Sequence, residues 1–380
     1  KDDILYLGVD DKSLDLFESQ YPVPNGVSYN SYVILDEKIT IMDTVDKRAT
    51  DEWLALLEKA LEGKQADYLV VSHMEPDHAA SIQILAEMFP GMKIIGNTKT
   101  FAMIGQFFDL DLTGRSVVVK EGDIVDLGRH KLQFIMAPMV HWPEVMVEYD
   151  LTDKILFSAD GFGKFGTLDI EDAWVEEARR YYMNILGKYG SPVTTLLKKL
   201  ANLEVEMICP LHGPVIKEDI GFYIDKYKLW SSYEPEEEGI LIAYASIHGN
   251  TGIAARKLAD MLIKAGQRNV LVRDLSRCDS SEALTKAFQY SKLVVAGASY
   301  DTGVFPCMEE FLVHLRGKNY QKRKVAIIEN GSWAPKAGAC MKEILSQMKD
   351  LTIADSIITI KSTLSAKNLE EFEQLVDWLS

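Results

Sequence analysis

The segment Ser72-His73-Met74-Glu75-Pro76-Asp77-His78 follows the apolar, β-rich run Tyr68 to Val71 and precedes a helical pattern at Ala79 to Met88. It sets two imidazoles and two carboxylates in one loop, where side chains converge because the backbone keeps neither helical nor strand period. An ordinary helix N-terminus also favours Asp and Glu, but neutral imidazole is among the commonest metal ligands. Three further candidates each stand at the end of a β-like run: His141 in PMVHWPE, Asp160 in LFSADGF and His212 in CPLHGP. Any one of them alone reads more readily as a satisfied structural residue. Together, four histidines and three carboxylates are enough to ligate two metal ions with one carboxylate bridging them.

Working outward, short β-rich runs dominate the first 230 residues, among them Ser28 to Leu35, Ile39 to Met42, Ser116 to Val119, Lys131 to Ala137 and Val145 to Tyr149. Helical patterns at Thr50 to Leu61, Glu171 to Leu186 and Val193 to Leu203 interrupt them, which predicts sheets covered by helices. The polar, acidic stretch SSYEPEEE at Ser231 to Glu238 reads as a linker. From Gly239 onward five apolar strands alternate strictly with helices, the pattern of a doubly wound parallel sheet whose ligand loops gather at the carboxyl ends of its strands. The domains are accordingly expected at residues 1–237 and 238–380.

In the second of these, the loop Ser246-Ile247-His248-Gly249-Asn250-Thr251 joins the first strand to a helix. Small hydroxyl side chains, a glycine and a helix N-terminus present donors to a phosphate. A strand-to-helix cap of ordinary composition could look the same, but two later loops end neighbouring strands: Ser299-Tyr300-Asp301-Thr302-Gly303 and Asn330-Gly331-Ser332-Trp333. Tyr300 and Trp333 are candidates to pack beside a flat cofactor. The loop lacks G-x-G-x-x-G and G-K-[ST], so FMN suits it better than NAD or ATP.

Composition bounds the function. Acidic residues outnumber basic ones 57 to 41, and a net charge of -16 disfavours nucleic acid and anionic membranes. The cysteines Cys209, Cys278, Cys307 and Cys340 form no CxxC pair or disulfide framework, which suits a reducing cytoplasm. No run approaches the roughly 20 apolar residues of a membrane span, and the first residues lack the order of a signal peptide. His130 and His314 fall outside every motif, and Cys209 is expected to be buried rather than a ligand.

The order HxExDH followed by separated His, Asp and His resembles the metallo-β-lactamase-like superfamily, an αββα sandwich. Its hydrolases usually carry His where this chain has Glu75, and a carboxylate there makes the site harder and more anionic, favouring iron over zinc. That departure, together with GVSYNSY (26–32), HWPEVM (141–146), ADGFGKFG (159–166), EARRYYMNILGKY (177–189) and CPLHGP (209–214), resembles the flavodiiron proteins over nearly the whole chain. The resemblance implies a metallo-β-lactamase-like sandwich followed by a flavodoxin-like, doubly wound, five-stranded parallel sheet (α/β and α+β). It implies one non-haem iron at His73, Glu75 and His141, another at Asp77, His78 and His212, and Asp160 bridging, with His78 the ligand most readily replaced by water. Tyr29, Trp142 and Glu144 are expected near the pocket.

It further implies reduction of O2 to water, or of NO to nitrous oxide, with electrons passing from FMN to the irons. The family also implies a head-to-tail homodimer, or a dimer of such dimers, and a separate donor, either rubredoxin or a reduced deazaflavin. Two rivals are a zinc hydrolase of the same superfamily fused to a flavodoxin, and a non-catalytic gas sensor or electron carrier.

Overall fold

The computed structural model describes residues 2–171 and 173–380. Residues up to Tyr182 together with Tyr189–Ser231 form one unit, and Met183–Lys188 with Ser232–Ser380 form a second. In the first unit a six-stranded sheet runs in the order Ile4–Tyr6, Tyr32–Ile34, Thr40–Met42, Tyr68–Val70, Lys93–Gly96 and Ser116–Val118. A five-stranded sheet, Ile124–Asp126, Lys131–Met136, Met146–Asp150, Ile155–Phe157 and Met207–Cys209, faces it. Tyr32, Ile34, Met42, Val70 and Ile95 of the first sheet meet Leu132, Phe134, Met146, Ile155 and Phe157 of the second in one buried layer. Apolar residues recur at alternate positions because successive side chains point to opposite faces of a strand.

Helices lie along the sandwich, as the amphipathic pattern requires, with Trp53, Leu57 and Leu61 of Thr50–Leu61 buried. The loop expected through His78 gives way to a short helix, Pro76–Ala79, with Ile82–Met88 after it, and two longer helices were not anticipated. Thr98–Phe107 begins at a capping box between Asn97 and Thr100, a pairing without the acidic partner that usually marks such a start. Ile220–Ser232 carries apolar residues on several sides and so shows little periodicity. It also runs into the stretch expected to be a linker, while the strand Glu237–Ala245 leaves it, so the connection shortens to residues 233–236. The helical pattern expected over Glu171 to Leu186 divides as well, into an α-helix Trp174–Tyr181 and a π-helical turn Tyr182–Leu186.

The second unit is a parallel sheet in the order Val270–Asp274, Glu237–Ala245, Tyr290–Tyr300, Lys324–Asn330, its last place shared by Thr352–Ile353 and Ile358–Ile360. This is the 2-1-3-4-5 order of flavodoxin-like folds. Ile240, Ile242, Val294, Ala296 and Ile328 pack on Leu258 and Leu262 of Asn250–Lys264 and on Phe372 and Leu379 of Ala366–Leu379. The third strand overruns its expected end at Ala298. It turns through Asp301 and Thr302, both left-handed at φ 44° and 64°, and pairs back as Gly303–Val304.

Arg323 fastens the base of this sheet. It is 2% exposed, and its guanidinium donates to the carbonyls of Tyr290 (2.8 Å), Tyr233 (2.5 Å), Gln321 (2.8 Å) and Phe288. Arg323→Met keeps the length of the side chain but removes the guanidinium's hydrogen bonds to these carbonyls, at about 1–3 kcal/mol for each that stays dry. Urea unfolding of the second unit should show a loss of about 3 kcal/mol or more; a change within about 0.5 kcal/mol, as for a surface site, would count against this role.

Candidate metal centre and flavin loops

The sandwich brings loops from both sheets to one rim. His73, Glu75, Asp77 and His78 follow the strand Tyr68–Val70, His141 lies in the turn before Met146–Asp150, Asp160 follows Ile155–Phe157, and His212 follows Met207–Cys209. The GVSYNSY segment explains how the His212 loop is held. Asn30 Nδ2 donates to the carbonyls of Pro210 (2.8 Å) and Gly213 (2.7 Å), Tyr32 Oη donates to Pro210 O (2.7 Å), and Gly213 N donates to Ser28 Oγ (2.7 Å). Gly213 is left-handed at φ 80°, and a Cβ there would stand 2.8 Å from Lys164 Cγ, so the turn requires glycine.

The seven side chains form two groups. Ligand-type atoms of His73, Glu75, His141 and Asp160 lie within 4.8 Å of one another, as do those of Asp77, His78 and His212. Asp160 stands between them: its Oδ2 is 3.4 Å from His73 Nε2 and 3.1 Å from His141 Nε2, while its Oδ1 is 3.2 Å from His78 Nε2 and 3.9 Å from His212 Nε2. Glu75 Oε2 is 3.0 Å from His141 Nε2, and Asp77 Oδ2 is 3.3 Å from both His78 Nε2 and His212 Nε2.

The imidazoles turn their lone pairs inward. His73 Nδ1 donates to Glu144 Oε1 at 2.8 Å, and His212 Nδ1 donates to the carbonyl of Ser28 at 2.8 Å, so Nε2 of each is left to face the centre. Such a group calls for positive charge. Burial works against a charged His141, yet the carboxylates of Asp160 and Glu75 beside it carry its pKa up to about 9. Burial likewise opposes ionised Glu75 and Asp160, and their imidazole neighbours still hold both carboxyls below the usual range. Both carboxylate oxygens of Asp77 and of Asp160, with His78 Nδ1, are buried without a hydrogen-bond partner. His78 Nε2 and His212 Nε2 face each other at 3.0 Å. Cations at the two groups would satisfy the carboxylate oxygens and take up both facing Nε2 atoms, and an all-nitrogen-and-oxygen donor set suits iron.

The three neighbouring residues singled out in the sequence lie beside the candidate ligands. Trp142 meets the His73 ring edge-to-face with centroids 5.3 Å apart, Tyr29 lies 6.1 Å from the His212 ring, and Glu144 also accepts from Met74 N at 2.9 Å. Tyr181 was not singled out. Its ring is 5.5 Å from that of His212, and its hydroxyl is buried without a partner. Its place inside EARRYYMNILGKY was the available signal, but two adjacent tyrosines on a helix give no sign of which one faces the site. A pocket of 180 Å³, lined in part by Leu14, Phe17, Tyr29, Arg48, Glu75 and Asp77, opens onto the carboxylates. A third group of ligand-type atoms, Asp3, His130 and Asp153, is already served by the Arg129 guanidinium, 2.7 Å from Asp3 and 2.8 Å from Asp153. His130 is therefore a buried structural residue there.

In the second unit the three expected loops leave adjacent strands, since Ala245 pairs with Gly297 and Ala298 with Asn330. Ile247, His248 and Gly249 are exposed at the start of the helix Asn250–Lys264, which has no side-chain cap. Ser246 Oγ accepts from Gly249 N at 3.0 Å. Helix N-H groups left open in this way fit an incoming phosphate. Tyr300 is 45% and Trp333 86% exposed, which leaves their rings available to a flat ligand. Ser299 is engaged elsewhere, because its Oγ accepts from Lys336 N (2.9 Å) and Ala337 N (3.1 Å) at the start of the helix Ala337–Ser346. Asn330 and Ser332 bond to Ser362, in a fourth loop that the sequence motifs do not include. Among the described residues no helix is long and apolar enough to cross a membrane.

Comparison with known proteins bears on the family and the fold. A family model described as ODP family beta lactamase matches residues 27–213. An anaerobic nitric oxide reductase flavorubredoxin of Aliivibrio salmonicida is 30% identical over 349 residues, covering 88% of this chain and 68% of that protein. Among solved structures, rubredoxin oxygen:oxidoreductase from the anaerobe Desulfovibrio gigas superposes with a TM-score of 0.93 at 25% identity, covering 99% of this chain and 96% of the other. The flavodiiron protein of Giardia intestinalis gives a TM-score of 0.94 at 23% identity, covering 100% and 94%, and speaks for the fold. The chain belongs to the flavodiiron proteins, a family of flavin- and iron-dependent oxidoreductases.

Proposed function

We propose that the chain reduces O2 to water, NO to nitrous oxide, or both, at two irons held in the rim of its sandwich domain, using FMN held by the loops of its flavodoxin-like domain. The observation that carries this reading is Asp160, which turns one oxygen to each ligand group. One iron falls to His73, Glu75 and His141 and the other to Asp77, His78 and His212, with Asp160 shared. When bound, the irons and the flavin supply the electrons, four for each O2 or two for each pair of NO.

The protein's own side chains do the rest. Glu144 and the Ser28 carbonyl fix the direction of His73 and His212, so neither imidazole must reorganise. Trp142, Phe17 and Tyr181 pack around the imidazoles and restrict water. The Tyr181 hydroxyl is a free donor close to the centre, suited to a developing negative charge. FMN is assigned to Ser246, Ile247, His248, Gly249, Asn250 and Thr251 through its phosphate, and to Ser299, Tyr300, Asp301, Thr302, Gly303, Asn330, Gly331, Ser332 and Trp333 around its ring. Electrons would come from a separate rubredoxin-type or deazaflavin donor, in a head-to-tail dimer working in the cytoplasm. The names of the Desulfovibrio and Aliivibrio proteins support both substrates.

Anaerobic stopped-flow mixing of reduced protein with O2 and with NO tests the activity. Repeated turnover with either gas is expected. A stable adduct without turnover would instead make the chain a sensor, and zinc content with lactam or thioester hydrolysis would make it a hydrolase.

Two variants test the site. Asp160→Asn should lose the paired irons while retaining its flavin absorbance, whereas normal iron content with full activity would remove the bridging assignment. Glu144→Ala should weaken metal retention about 10–100-fold in competition with a chelator, because His73 Nδ1 loses its acceptor; unchanged retention would show that the ring is oriented by other contacts.

A further inference from the structure

Glu148 lies where an acid is costly. It sits on the strand Met146–Asp150, its cross-strand partners are Phe134 and Phe157, and all three are buried between the sheets. Its carboxyl reaches across to the first sheet, where Asp43 follows Thr40–Met42 and Ser72 follows Tyr68–Val70. Ser72 Oγ is 2.6 Å from Asp43 Oδ2 and 2.9 Å from Glu148 Oε2, and Asp43, Ser72 and Glu148 are at most 2% exposed.

A serine hydroxyl has one proton and can donate to only one of these carboxyls. Asp43 has the stronger claim as the anion, because Ser72 N also donates to its Oδ1 at 2.7 Å and His73 N lies 3.4 Å from the same oxygen. Glu148 has no second donor, and its Oε1 has no partner at all. Were Glu148 also ionised, it would be an unpaired charge facing two phenylalanines, far more costly than one unpaired carbonyl oxygen.

We propose that Glu148 is a neutral carboxylic acid in the folded protein, donating its proton to Ser72 Oγ and so acting as a positioning residue for the turn that carries His73 and Glu75. The hydrogen bonds then run one way, from Glu148 to Ser72 and from Ser72 to Asp43, and that carboxylate holds the main chain at the first candidate ligand. Burial, followed by the charge of Asp43, pushes the Glu148 pKa well above the ordinary value. Asp43 is the titratable group facing it; the neighbouring strands contribute phenylalanines. The inference rests on the metal-centre reading only for the importance of the turn.

The test compares the full-length, cofactor-loaded protein with Glu148→Gln, whose amide can still donate to Ser72. At neutral pH the infrared difference spectrum should show a carboxylic-acid C=O band present in the wild type and absent from the variant. The folded state keeps a proton that the unfolded chain gives up near its ordinary pKa of about 4.3, so wild-type stability should fall as pH rises above that value. Glu148→Gln should lose this contribution and keep only that of Asp43, which burial raises to about 6, so its thermal midpoint should gain on the wild type between about pH 5 and pH 8.

A folded variant with no acid band lost, or with the wild-type pH slope, overturns the proposal. If Glu148→Gln does not fold, Ser72→Ala decides: the acid band should move to higher frequency as its acceptor is removed, and an unmoved band overturns the proposal. Iron counted in the same samples separates the two readings, because a missing iron pair would sink the metal centre and leave the infrared result standing.

Discussion

Four imidazoles and three carboxylates, most of them fully buried, can share the rim of this sandwich only if positive charge lies among them. Protons can supply part of it, as the raised His141 and depressed Asp160 indicate. One proton can sit between the His78 and His212 nitrogens that face each other at 3.0 Å, but the carboxylate oxygens of Asp77 and Asp160 still receive no hydrogen bond. The cost of burying so many unpaired polar atoms is the constraint around which the first domain is arranged.

Much of the rest of that domain can be understood as support for this rim. The sheets supply rigid strand ends, and two of the candidate-ligand loops are fastened from behind: Asn30, Tyr32 and Ser28 hold the His212 loop, while Glu144 holds His73 and Asp43 with Ser72 holds the turn that carries it. These supports come from strands distant in sequence, so the centre can assemble only once the two sheets have closed on their shared core. In the flavodoxin-like domain the reverse holds. Its first loop is exposed at Ile247, His248 and Gly249 and leads into a helix without a side-chain cap, as suits a surface that must admit a phosphate.

The parts of the structure legible in the sequence were those that depend on local pattern. Alternating apolar strands and helices after Gly239 announce the parallel sheet, and the segment from His73 to His78 supplies four of the candidate ligands. The less legible parts depend on contacts between distant segments. Tyr181 could not be told from Tyr182 without knowing how the helix rolls against His212. Ser299 was placed in a ligand loop, but its hydroxyl is engaged at the start of the helix Ala337–Ser346. Glu148 looks like one exposed position of an alternating strand until its partners Phe134 and Phe157 show that it faces inward. The helix Ile220–Ser232 hid because its apolar residues do not keep to one face.

The most direct test of this account is a metal count on wild-type protein purified without oxygen, read together with its low-temperature magnetic behaviour. Two irons per chain, magnetically coupled through a shared ligand, are the predicted result. One iron per chain, two uncoupled irons, or zinc in their place would contradict it.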